Sequence, residues 1–127
     1  MQPKKIFVLG NPLVEQDSLP LKLIKPLSKK FPDIEFEEID PTENLEVIGR
    51  NPVIIDTILG IKEVRVLTDI DKIELSPNYS MHDYDLGFNL KLLRKMDMLE
   101  SVFIIGVPDK ITKEQALEQI SKEIKKL

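Results

Sequence analysis

The chain holds no cysteine, no tryptophan, one histidine and only five glycines, and aromatic residues make up 6% of it. Without cysteine there is no disulfide, thiolate metal site, iron–sulfur cluster or cysteine nucleophile, and a cytoplasmic location is the natural expectation. Any histidine-dependent chemistry must run through His82. Gly10 stands alone, outside any GxGxxG or P-loop pattern, so nucleotide binding has no motif behind it. Long apolar runs are missing too. Met1-Gln2-Pro3-Lys4-Lys5 leads into a short stretch, Ile6 to Gly10, well below what a signal peptide or membrane span requires. No basic excess exists: 18 Lys and Arg face 22 Asp and Glu, for a net charge of −4. That balance argues against a nucleic-acid partner. What remains is 127 residues, 42% apolar and 31% charged. Such a chain suits a single domain over 1–127 that can bury about two-thirds of its unfolded surface.

Hydrophobic patterning gives the order of elements. Ile6-Phe7-Val8-Leu9 is continuously apolar, as expected of a strand covered on both faces in a parallel sheet. Over 18–30, Leu19, Leu23 and Leu27 recur at spacing four, which predicts an amphipathic helix with Lys22, Lys25, Lys29 and Lys30 outside. Pro20 fits its first turn, whereas Pro26 lies inside and should kink it at a cost of about 3 kcal/mol. A strand follows over 34–39, polar on one face and so near an edge, and then a short helical stretch over 45–50. The β-branched run Pro52-Val53-Ile54-Ile55-Asp56-Thr57 reads as a buried strand stopped by Asp56. The alternating Glu63-Val64-Arg65-Val66-Leu67 reads as an edge or antiparallel strand, and 69–79 as a loop. Leu86, Leu90, Leu93 and Met96 mark a helix face, and Val102 to Gly106 a last buried strand. Thr112 to Gln115 form a capping box for a final helix with Leu117, Ile120, Ile124 and Leu127 on one stripe. Strands alternating with helices predict a three-layer α/β/α sandwich around a mostly parallel twisted sheet of about five strands. Ligands of such sheets bind beyond the carboxyl ends of the strands, where the topology reverses.

That rule directs attention to the residues after the first and third strands. Asp17, at the start of the first helix, can cap that helix or face a site. Asp56 ends an apolar strand, so it must either meet a loop amide or serve a site, because an unpaired buried carboxylate is prohibitively costly. His82 precedes a helix, where a capping role is the plain alternative to ligation. Ser80 and His82 are too close in sequence to make a serine–base pair on a helix. Two carboxylates and one imidazole can instead bind a divalent transition metal, leaving positions open for an outside ligand. Asp69-Ile70-Asp71 has half a calcium loop without its glycine and terminal Glu, and reads as solvated loop. The Lys29-Lys30 and Lys125-Lys126 pairs read as solvated helix faces.

Taken in order, these stretches resemble the hydrogenase maturation endopeptidases, which trim the large subunit of [NiFe] hydrogenases. Val8-Leu9-Gly10-Asn11-Pro12-Leu13 with Asp17 is similar to the family's opening strand, turn and acidic residue. Val53-Ile54-Ile55-Asp56-Thr57 resembles its buried strand ending in Asp, and Glu63 to Leu67 its next strand. Ser80-Met81-His82 with the Leu-rich helix resembles its histidine segment, and Val102 to Pro108 its late strand. The resemblance implies that Asp17, Asp56 and His82 are the catalytic, metal-contacting residues, with Asp40 a secondary candidate near the cleft. It further implies a partner, the [NiFe] hydrogenase large-subunit precursor, whose nickel is supplied by that precursor and whose C-terminal peptide is removed. Three rival readings stand beside it: a non-catalytic α/β binding module, a related metallopeptidase with a non-hydrogenase substrate, and an assembly or structural subunit.

Overall fold

The computed structural model describes residues 3–10, 18–39, 48–69, 80–81 and 84–127, with backbone alone at 80–81 and 84–89. Among the described residues six strands form one sheet: β1 (Lys5–Val8), β2 (Glu35–Glu38), β3 (Val53–Leu59), β4 (Arg65–Leu67), β5 (Ser80–Met81) and β6 (Phe103–Pro108). The helices among the described residues are α1 (Leu19–Lys22), α2 (Ile24–Lys30), α3 (Tyr84–Lys95) and α4 (Lys113–Lys125). The main path across the sheet is β2-β1-β3-β6-β4, and the two-residue β5 pairs with β3 off that path. β2, β1, β3 and β6 run parallel, whereas β4 and β5 pair antiparallel. The expected mostly parallel sheet is therefore present, with the short β5 added to the five-strand path.

Side-chain alternation along the central strands assigns the two faces. Ile6, Val8, Val53, Ile55, Ile105 and Val107 join Leu23, Leu27, Ala116, Ile120 and Ile124 in one buried cluster. Phe7, Leu9, Ile54 and Ile104 join Leu90, Leu93, Leu99 and Val102 in the other. Thus α1, α2 and α4 cover one face and α3 the other, which completes the three layers. Because both faces of β1, β3 and β6 are covered, their continuous apolar runs are what burial requires. Outer strand β2 shows the opposite composition. Only Phe36 is buried there, and Glu35, Glu37 and Glu38 face solvent, discouraging edge-to-edge pairing. β4 sits at the other edge and antiparallel, so its alternating pattern meant both.

Three local expectations are corrected. Pro26 does not kink one helix but divides it, since it has no N–H to give the Lys22 carbonyl and its ring crowds that group. The chain turns at Leu23, and α2 restarts at Ile24 with Pro26 in its first turn, where no intrahelical donor is needed. Met96 does not belong to the buried side of α3. It follows the last helical residue and is 54% exposed. There Asp97 adopts φ +58°, and the Met98 and Asp97 N–H groups donate to the Leu93 and Arg94 carbonyls in a Schellman closure. Asp56 does not end its strand, because β3 continues to Leu59 through pairing with β5 and β6. The capping box is formed as expected: the Thr112 hydroxyl accepts from the Gln115 N–H, and the Gln115 side chain accepts from the Thr112 N–H. Most of the helical stretch expected over 45–50, and the loop over 70–79, lie outside the described residues.

Candidate functional site

Strand order locates the crevice. From β1 the chain proceeds through α1 and α2 to β2 on one side, whereas β3 lies on the other side of β1. The topology therefore reverses between β1 and β3, where open α/β sheets bind ligands beyond the strand ends. Pairing between β1 and β3 reaches Val8↔Ile55, and the Leu9 N–H donates to the Ile55 carbonyl at 2.9 Å. Asp56 is the next residue, so it is the first side chain of β3 beyond its neighbour's ladder. On the other side it stays in register with Gly106 of β6.

Asp56 is fully buried, and its Oδ1 accepts a hydrogen bond from the Thr57 N–H at 2.8 Å. This bond ties one carboxylate oxygen to the backbone of its own strand at the switch point. By alternation Asp56 lies on the α3 face with Ile54 and Ile58, while Thr57 lies on the α1 face. Thr57 is itself buried, and among the described residues its hydroxyl has no hydrogen-bond partner. Neither Thr57 contribution was expected from sequence, because a backbone N–H leaves no compositional trace.

Gly106 completes the geometry. A Cβ there would lie 2.2 Å from Ile58 Cδ1 and 2.9 Å from Ile58 Cγ1. The bare glycine leaves room for the Ile58 side chain over the strand position that pairs with Asp56.

Asp17, His82 and Asp40 lie outside the described residues, but their sequence neighbours show where the chain passes. Ser18, next to Asp17, is buried at the N-cap of α1, and its side chain makes no capping bond. Met81, next to His82, is the register partner of Ile58, two residues beyond Asp56. Strand β5 therefore brings the histidine-bearing segment to the same end of β3 that carries Asp56. Among the described residues, no group of three or more His, Asp or Glu side chains lies close enough to hold a metal ion. Asp69, described and exposed, lies just past β4 at the sheet edge, consistent with its reading as solvated loop. No described helix is long and apolar enough to cross a membrane.

No protein-family model matches the chain, and no curated protein does. Solved structures do. The hydrogenase maturating endopeptidase HybD from Escherichia coli is similar over 98% of this chain and 93% of its own, with TM-score 0.60 and 16% identity. An endopeptidase from Escherichia coli determined in solution matches over 96% and 93%, with TM-score 0.62 and 18% identity. A protein from Wolinella succinogenes matches over 94% and 80%, with TM-score 0.53 and 18% identity. The shared property is the fold, over nearly the entire chain.

Proposed function

We propose that this chain is an endopeptidase of hydrogenase maturation, which removes the C-terminal peptide of a nickel-loaded [NiFe] hydrogenase large-subunit precursor. The observation that supports this most is the end-to-end match in fold to HybD, a hydrogenase maturating endopeptidase, together with a buried carboxylate at the topological switch point. The sequence resemblance independently names the same residue, Asp56.

In this reading Asp17 and Asp56 offer carboxylate oxygens and His82 a neutral ring nitrogen to the nickel that the precursor carries. The ion belongs to the substrate and holds its tail against the protease, or polarises the reacting carbonyl. Hydrolysis adds one water across the peptide bond, giving a new C-terminal carboxylate and a free amine. With no cysteine in the chain, water is the proposed nucleophile. Thr57 holds Asp56 through its N–H, so the carboxylate is oriented before substrate arrives. Asp56 is wholly buried, so contact with a substrate-borne ion requires the residues over it to move.

The test is processing of the nickel-loaded precursor by Asp56→Asn, Asp17→Ala and His82→Gln. Asp56→Asn keeps an oxygen for the Thr57 N–H and removes only the charge. Each variant is expected to fold cooperatively and lose cleavage. Normal cleavage by a folded variant removes that residue from the site. Binding without cleavage by the unmodified protein would favour the non-catalytic module.

A further inference from the structure

The outer side of α1 and α2 carries an electrostatic feature that neither the core nor the candidate site uses. From Ser18 to Pro32 the chain holds four lysines and no acidic residue, within a protein of net charge −4. Leu23 and Leu27 face the sheet, while Lys22, Lys25, Lys29 and Lys30 are all exposed. Lys25 and Lys29, four residues apart, share one side of α2, and Lys22 ends α1 just before the turn at Leu23. Among the described residues none of the four makes an ion pair.

Three lysines elsewhere are compensated. On α4, Lys122 pairs with Glu118 and Lys126 with Glu123, and on β1 Lys5 pairs with Glu35 and Glu37. Local stability accounts for part of the stripe, since Lys29 and Lys30 complement the C-terminal end of the α2 dipole. It does not account for Lys25. That residue sits in the first turn of α2, where positive charge is unfavourable, and four residues before Lys29, a repulsive spacing.

We propose that this lysine stripe is a docking surface for an acidic polypeptide segment of a partner protein. From Lys25 to Lys30 the stripe rises about 7.5 Å along α2, the span of roughly two residues of extended chain. An acidic peptide can meet it without burying apolar area, because the apolar side of both helices is already spent on the core. For the same reason the stripe has nothing to insert into a bilayer. It also lacks the arginines and aromatic platforms that single-stranded nucleic acid uses. The surface is independent of the hydrogenase reading and stands or falls separately from it.

The probe is a fluorescently labelled oligo-glutamate peptide titrated into the full chain, with amide shifts followed by NMR. Shifts are expected to concentrate on 21–30, and binding to fall steeply as salt shortens the Debye length. Lys22, Lys25, Lys29 and Lys30 changed together to Gln should weaken binding about tenfold, the combined loss of four exposed contacts. A control with Lys113, Lys122, Lys125 and Lys126 changed to Gln loses the same charge and should stay within about twofold. Equal losses in the two variants, no binding, or tighter binding of oligothymidylate or phosphatidylserine vesicles would each overturn the proposal. If the stripe variant fails to fold, the shift map of the unmodified protein decides.

Discussion

Gly106→Ala is the substitution whose outcome follows most directly from the structure. The added Cβ would stand 2.2 Å from Ile58 Cδ1, 2.9 Å from Ile58 Cγ1 and 3.4 Å from the Arg65 carbonyl oxygen. Carbon atoms in contact prefer about 3.5–4.0 Å, so Ile58 must leave its position. Ile58 is 2% exposed in a packed layer, and the strand carbonyl beside it is fixed by the ladder to β6. Overpacking of this kind costs about 1–3 kcal/mol. For a chain of this length that is a fall in Tm of roughly 4–12 °C, measurable by calorimetry. Ile58→Val removes Cδ1, the worse of the two clashes, at an intrinsic cost of about 0.5–1.5 kcal/mol. In the Gly106→Ala background it should cost less than that or restore stability, giving a coupling of at least about 0.5 kcal/mol in a double-mutant cycle. A Gly106→Ala protein within about 0.5 kcal/mol of the parent, or strictly additive changes, would refute the packing argument.

Two further expectations concern the periphery. Asp97 holds φ +58° at the end of α3, a conformation glycine adopts without strain, so Asp97→Gly should leave the fold intact and raise stability by up to about 1 kcal/mol, read from urea midpoints. The carbonyl that receives Arg50 is retained in that variant, and a loss of stability would instead assign the Arg50 contact with the Asp97 carboxylate the larger role. The Lys5 ammonium is held above its ordinary value of 10.5, chiefly by its hydrogen bond to Glu35, with burial opposing and the charges of Glu35 and Glu37 adding. A raised lysine contributes stability that is complete below the unfolded value and is lost as pH rises through the folded one. The Tm gap between the parent and Lys5→Met should thus stay constant through neutral pH and close only above 10.5. A gap that closes near neutrality would contradict that pairing.

How far the fold could be read depended on where burial alone set the pattern. β1, β3 and β6 are continuously apolar because helices cover both their faces, and β2 and β4 read as edges because one side of each is wet. The misplaced features depend on contacts distant in sequence or on the backbone conformation of a single residue. β3 runs past Asp56 because β5 and β6 supply partners for Ile58 and Leu59, and a two-residue strand such as β5 has no periodicity to detect. Met96 continues the spacing of α3 by sequence alone, yet the left-handed Asp97 ends the helix before it. Pro26 was recognised as a breaker, but whether a helix bends or restarts depends on whether the freed carbonyl finds another environment. Within the site, Asp56 was legible because an acid in an apolar run is costly without a purpose. Its Thr57 N–H partner and the opening left by Gly106 were not, since both depend on backbone geometry and register.

The most direct test of the account mixes the purified protein with a nickel-loaded [NiFe] hydrogenase large-subunit precursor, with the metal-free precursor alongside, and measures the precursor's mass. The account predicts loss of a C-terminal peptide from the nickel-loaded sample alone. An intact mass in both samples, with the protein folded and the precursor shown to be cleavable by a known maturation endopeptidase, would contradict it.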